Sequence, residues 1–150
     1  KGVILIDSLP LGIVVTCDKD GLEGAIINLL ENATKYGPSD NREHEVELIL
    51  QSHHDLAIIE VHDRGRGIPS GEHTRIFEGF FRASNSGEIR GAGLGLGIVQ
   101  HFARAHEGDI EALPREGGGT IMRITLPLAT DNTDSPSTTH SPNKTPGTPT

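Results

Sequence analysis

The chain has 150 residues, enough for one domain of ordinary size, and only 34% of them are hydrophobic. Lys and Arg number 13 against 21 Asp and Glu, a formal net charge of −8 that repels phosphate backbones and anionic lipid and so excludes nucleic acid and membrane surfaces as default partners. The single cysteine, Cys17, permits no internal disulfide and belongs to no Cys/His cluster, which points to a reducing compartment, and no apolar run approaches the ~20 residues of a membrane helix.

Residue 1 is Lys, so the chain is expected to be a piece of something longer. Residues 3–6 and 13–17 are short β-rich runs separated by turn-like residues, and both are read as strands. Asp18 offers an N-cap, after which Leu22, Ile26, Leu29, Leu30 and Ala33 recur at helical spacing up to Tyr36. Residues 39–43 form a polar loop. Two alternating runs, 46–51 and 56–62, are joined by His53-His54-Asp55 as a hairpin. Residues 72–81 follow as a short helix, and 84–93 as a polar, glycine-rich mobile loop. A second helix spans 94–106, with Gly108 just past its end. Two strands, 110–113 and 120–126, close the domain around Gly117-Gly118-Gly119.

Hairpins between strands argue against a doubly wound parallel sheet. The order predicts an α/β fold, a two-layer sandwich in which a mixed sheet is covered on one face by helices. The folded domain is expected over 1–128. Residues 129–150 are rich in Ser, Thr and Pro and hold too little apolar surface to offset chain entropy, so a disordered tail is expected.

Four segments carry chemistry. In the first helix, Asn28, Asn32 and Lys35 share one face, read as opposite the Leu/Ile stripe. A neutral amide oxygen suits a Mg²⁺ ion that already carries phosphate oxygens, and a lysine beside it neutralises phosphate charge. Taken alone, these residues equally describe an ordinary amphipathic helix. Next, Asp63-Arg64-Gly65-Arg66-Gly67-Ile68 follows a strand directly. A carboxylate there can accept a hydrogen bond from an exocyclic amino group such as that of adenine, and the glycines admit close backbone approach. By itself this is also a plain glycine-rich turn. The third segment, Phe77-Glu78-Gly79-Phe80-Phe81-Arg82, would anchor a loop to the core. The fourth, Gly91-Ala92-Gly93-Leu94-Gly95-Leu96-Gly97, runs into a helix, where backbone N–H groups and the helix dipole attract an anion. No leading βαβ unit precedes it and no GxxxxGK[ST] exists, so neither a dinucleotide fold nor a P-loop is indicated.

In this order the four segments resemble the N box, first glycine box, F box and second glycine box of histidine kinases, in the class that includes gyrase, HSP90 and MutL. The resemblance covers nearly all of 3–128 and implies the Bergerat-type ATP-binding fold. It implies that Asn32 is the Mg²⁺ ligand bridging the phosphates of ATP, that Asn28 and Lys35 contact phosphate, and that Tyr36 packs near the nucleoside. Asp63 would bind the adenine amino group, with Gly65, Gly67 and Ile68 shaping the pocket. Residues 84–90 would form a lid anchored by Phe80 and Phe81, with Arg82 or Arg90 approaching the γ-phosphate. Gly91, Gly93, Leu94 and Gly95 would present backbone to the phosphates. Gly97 departs from the family, which usually has Ala or Ser there, and the lid is short.

Position 28 separates relatives. The ATP-hydrolysing members of the class place a water-activating Glu four residues before the Mg²⁺ asparagine, where this chain has Asn28. Glu31 is a carboxylate but points about 100° round the helix from Asn32. A neutral imidazole attacks phosphorus through a ring lone pair and needs no base, so transfer to histidine fits better than hydrolysis. None of the eight histidines stands in the family's helical His-Glu-x-x-x-Pro setting. The acceptor is therefore expected on a separate dimerisation and phosphoacceptor domain of a homodimeric kinase, with a response regulator downstream. The resemblance implies a cytoplasmic domain, within a full-length protein that can be membrane-anchored. A serine kinase of the anti-sigma type and a non-catalytic nucleotide-binding module stay open as alternatives.

Overall fold

The computed structural model describes residues 3–7, 12–37, 45–87 and 91–129. The expectations for residues 39–43, for Arg90 and for the tail after residue 129 lie outside the described residues. In chain order the elements are β1 (Val3–Asp7), α1 (Lys19–Lys35), β2 (Glu45–His53), β3 (Leu56–His62), a single 3₁₀ turn (Arg75–Phe77), α2 (Gly95–Ala105), β4 (Asp109–Pro114) and β5 (Thr120–Pro127). The strands form one five-stranded sheet in the order β1-β2-β3-β5-β4. β1 runs parallel to β2 and the other pairs are antiparallel, so the sheet is mixed.

Each element follows from its own residues. The Asp18 carboxylate accepts a hydrogen bond from the Gly21 N–H at 2.8 Å and so caps α1. Ala25, Leu29 and Ala33 of α1 are buried, as are Val99, Phe102 and Ala103 of α2. They pack on alternate strand residues, Ile59 and Val61 of β3 and Met122, Ile124 and Leu126 of β5, in one core cluster. Both helices therefore lie on one face of the sheet. The β2–β3 hairpin turns on His54 and Asp55, with His53 paired to Leu56 and His54 in the left-handed region at φ 53°. The glycine turn at 117–119 has φ of 79°, 100° and 106°, angles that side chains rarely adopt. Gly108 packs so close to Thr125 that a Cβ would strike its carbonyl oxygen, which sets the tight exit from α2 into β4. No helix among the described residues is long and apolar enough to cross a membrane.

Three local expectations change. Residues 13–17 do not form a full strand: Val15 makes one isolated antiparallel bridge to Leu128. The helix expected over 72–81 is only the 3₁₀ turn, because Gly79 and the positive φ of Phe80 (66°) break the helical path. α2 begins at Gly95, one residue later than read, with Leu94 as a cap that offers no side-chain hydrogen bond.

The sheet face turned away from the helices carries a charged network. Glu60 is only 4% exposed. Its carboxylate accepts from Arg123 Nε at 2.6 Å and lies 2.8 Å from His62 Nε2, while Arg123 Nη1 donates to Glu111 at 3.0 Å. Burial pushes the Glu60 carboxyl up, but the hydrogen bonds to His62 and Arg123 and their charges outweigh it and hold the group below the usual carboxylate range. The folded state thus binds fewer protons there than the unfolded chain. The stabilisation is present above the unfolded value and is lost as pH falls through the folded one. Glu60→Gln should therefore flatten the acid limb of stability against pH between about pH 5 and pH 3, and cost most at neutral pH. Urea unfolding across that range checks this, and an unchanged acid limb would assign the acid sensitivity to other carboxylates.

Candidate functional site

The four chemistry-bearing segments meet at one cavity. α1 contributes Asn28, Asn32, Lys35 and, at its cap, Tyr36. The segment after β3 contributes Asp63, Arg66, Gly67 and Ile68, and the segment after the 3₁₀ turn contributes Phe81, Arg82, Ala83 and Asn85. Gly91, Gly93, Leu94 and Gly95 bring the N-terminus of α2 to the wall, and Thr120 and Met122 of β5 form the floor. Gly65 does not line the cavity; it works beneath it. Arg90 is outside the described residues.

The asparagine row lies differently from the sequence reading. At 3.6 residues per turn, Asn28 and Asn32 sit roughly 100° and 60° from Leu29 at the centre of the buried stripe, beside the stripe rather than opposite it. That flank position puts the row at the edge of the helix–sheet interface, where the cavity opens. Asn28 Nδ2 donates to the Gly24 carbonyl at 3.0 Å, and a Cβ on Gly95 would stand 2.8 Å from Asn28 Oδ1. A side chain at position 95 would therefore have to push the Asn28 amide aside. Lys35 Nζ pairs with Glu31 at 3.2 Å on the exposed side of α1, a contact of small value that an anion can displace.

Asp63 is 7% exposed. Its Oδ1 accepts from the Gly65 N–H at 2.7 Å and from the Thr120 N–H at 3.3 Å, so the carboxylate is oriented by backbone donors. A Cβ on Gly65 would collide with the Tyr36 carbonyl oxygen, which also accepts from the Arg66 N–H at 3.3 Å. The end of α1 and the end of β3 are therefore joined backbone to backbone.

Of the two phenylalanines expected to anchor the following loop, only Phe81 packs against the core, with the Arg75 guanidinium 4.4 Å from its ring centroid. Phe80 is 76% exposed, because its positive φ turns the side chain outward. Its N–H donates to the Gly93 carbonyl at 3.1 Å. Gly93 itself has φ 69°, and a Cβ there would lie 2.6 Å from the Phe81 carbonyl oxygen. Arg82 Nη2 donates to the Gly87 carbonyl at 3.1 Å. At Gly97, a Cβ would sit 3.2 Å from the Phe77 carbonyl oxygen, a tight contact that a larger residue would relieve only by a shift of a few tenths of an ångström.

Some cavity residues were not singled out from sequence. Arg66 Nη1 donates to the Asn85 carbonyl at 2.7 Å and Asn85 Nδ2 donates to the Gly67 carbonyl at 3.1 Å, two bonds that tie the 66–67 and 85 segments together and that no spacing rule reveals. Thr120 and Met122 face inward by strand alternation, a signal that was present once β5 was drawn. Among the described residues, no group of three or more His, Cys, Asp or Glu could hold a metal ion.

Residues 17–130 match the family model described as histidine kinase-, DNA gyrase B- and HSP90-like ATPase. The chain belongs to this family. It is 39% identical over 109 residues to the sensor protein CutS of Streptomyces coelicolor, covering 71% of this chain and 26% of CutS. It is 33% identical over 122 residues to the sensor histidine kinase WalK of Bacillus subtilis, covering 80% of this chain and 20% of WalK. The chain thus spans about a quarter or less of these relatives. Among solved structures, the mycobacterial sensor histidine kinase MprB superposes with a TM-score of 0.71 at 29% identity, covering 85% of this chain and 83% of that one. The ATP-binding domain of PrrB from Mycobacterium tuberculosis gives 0.67 at 26% identity, covering 85% and 80%. The chain is a histidine-kinase-type ATPase domain of the kind found in sensor kinases, with the α/β fold expected.

In this ATPase domain the Gly65 crossing is a rigid constraint. Gly65→Ala should force the ends of α1 and β3 apart, lowering the melting temperature by several degrees, as expected for about 1–3 kcal/mol of overpacking. Gly24→Ala, where a Cβ meets nothing within 4 Å, is the control and should be neutral or slightly stabilising. Equal melting temperatures for the two variants would show that the crossing has room to relax.

Proposed function

We propose that this domain binds Mg·ATP and passes the γ-phosphoryl group to a histidine on a separate dimerisation and phosphoacceptor domain of the same kinase, which then serves a response regulator. The supporting observation is the convergence on one cavity of a backbone-oriented carboxylate, Asp63, with the Asn28, Asn32 and Lys35 row and the N-terminus of α2. A base-reading group and an anion-binding end lie in the same cavity, as a nucleotide requires.

Asp63 accepts a hydrogen bond from the adenine amino group, with Gly67 and Ile68 against the base and Tyr36 near the nucleoside. The N-terminus of α2, through Gly91, Gly93, Leu94 and Gly95, offers backbone donors to the phosphates, where the helix dipole favours negative charge. Lys35 leaves its exposed pair with Glu31 to meet phosphate, and Arg82 stands on the side of the γ-phosphate. The donor set also fits a Mg²⁺ ion: Asn32 supplies a hard, neutral amide oxygen on the cavity wall, and the ion would neutralise phosphate charge.

The acceptor imidazole is neutral. Its ring nitrogen attacks the γ-phosphorus, the P–N bond forms as the bond to the ADP oxygen breaks, and ADP leaves with the electron pair. Nothing at position 28 can deprotonate a water, so hydrolysis is not favoured. We place the domain in the cytoplasmic part of a homodimeric sensor that can be membrane-anchored.

Asp63→Asn replaces an acceptor with a donor facing the amino group and should weaken ADP binding by about 1–3 kcal/mol. Calorimetry decides, and equal affinities would remove Asp63 from the base site.

The chain alone should bind ATP yet neither autophosphorylate nor release phosphate at a useful rate. Adding the cognate acceptor domain in trans should produce acid-labile, base-stable label from radiolabelled ATP, and Asn32→Ala should abolish it. Acid-stable label on serine would move the protein to the anti-sigma type of kinase. Rapid phosphate release by the chain alone would make it a hydrolase.

A further inference from the structure

The loop between β4 and β5 is built against Asp63, the proposed base-reading residue. The Asp63 N–H donates to the Thr120 carbonyl at 2.9 Å, and Arg64 Nη1 donates to the Glu116 carbonyl at 2.8 Å. A Cβ on Gly119 would collide with the Asp63 carbonyl oxygen. That same oxygen accepts a hydrogen bond from Arg115 Nη1 at 3.3 Å, while Arg115 Nη2 is ion-paired with the Glu47 carboxylate of β2.

The Arg115 side chain is only 10% exposed. It does not line the cavity, so it has no direct contact to offer a ligand. Its planar fork reaches a carboxylate on β2 and the main chain at the end of β3 simultaneously. A guanidinium suits this task because its donors diverge in one plane, whereas an ammonium is a point charge. Removing Glu47 would leave a nearly buried guanidinium without its carboxylate.

We propose that Arg115 is a positioning residue for base recognition: tethered by Glu47, it fixes the main chain of Asp63 and with it the carboxylate that meets the adenine amino group. This rests on the adenine reading of Asp63, and the experiment separates the two. It uses the full chain, titrated calorimetrically with Mg·ADP and with Mg·IDP, in which an oxo group replaces the 6-amino group.

The wild type is expected to prefer ADP. Arg115→Lys keeps a charge beside Glu47 but loses the fork. It should lower ADP affinity by roughly five- to tenfold, the scale of one hydrogen bond, without lowering IDP affinity, so the preference shrinks. Glu47→Gln should shift the preference the same way by less. In an Asp63→Asn background, Arg115→Lys should add no further loss, because both act through one group. A wild type indifferent to the two nucleotides would overturn the adenine reading and the proposal with it. A wild type that prefers ADP, with the preference intact in Arg115→Lys and Glu47→Gln, would overturn the positioning role alone. An equal fall for both nucleotides would show a general structural role and overturn it as well. Should Arg115→Lys fail to fold, Glu47→Gln decides by the same criterion.

Discussion

The backbone crossing at Gly65 is the constraint on which the site depends. A side chain there would strike the Tyr36 carbonyl oxygen, and the Arg66 N–H binds that same oxygen. Because the C-terminus of α1 and the end of β3 touch main chain to main chain, two groups distant in sequence share one cavity. The asparagine row is delivered by α1 and the carboxylate by β3, and neither could be moved independently. Gly93 performs the same service at the other end, passing the 80–81 segment over the start of α2. Close packing of this kind tolerates little displacement, so the glycines act as fixed joints rather than as points of flexibility.

What could be read in the sequence was local. The Asp18 cap, the Leu29-centred apolar face, the β2–β3 hairpin and the paired strands after α2 all announce themselves within a dozen residues, through capping chemistry and periodicity. The Gly117–Gly119 turn is legible for the same reason. The site residues were legible as types, since amide, carboxylate and glycine each have a restricted chemistry. Their ordered boxes then supplied the family, which the match over residues 17–130 shows.

What could not be read was non-local. Nothing in residues 13–17 distinguishes a strand from a single bridge, because the outcome depends on whether Leu128 brings a full partner strand alongside. The segment 72–81 has helix-forming residues, but Phe80 must hand its N–H to Gly93, and that tertiary bond overrides local preference. The same bond exposes Phe80, which the apolar character of the residue alone would have buried. Likewise Asn85 joins Gly67 and Arg66 across 18 and 19 residues, a pairing without any periodic trace.

The charged network on the helix-free sheet face bears on how the domain behaves among its own copies. Glu47, Glu60, Arg123 and Glu111 stand on that face beside apolar residues such as Ile49, Ile58 and Ile121, none of which is fully covered. Two such faces stacked together would have to strip water from paired carboxylates and guanidinium groups, with no new partner to offer them in return. The network therefore opposes sheet-on-sheet association while the apolar residues between its rungs add to the stability of the single sheet. Copies of this domain brought close together are, by this device, kept from stacking sheet to sheet.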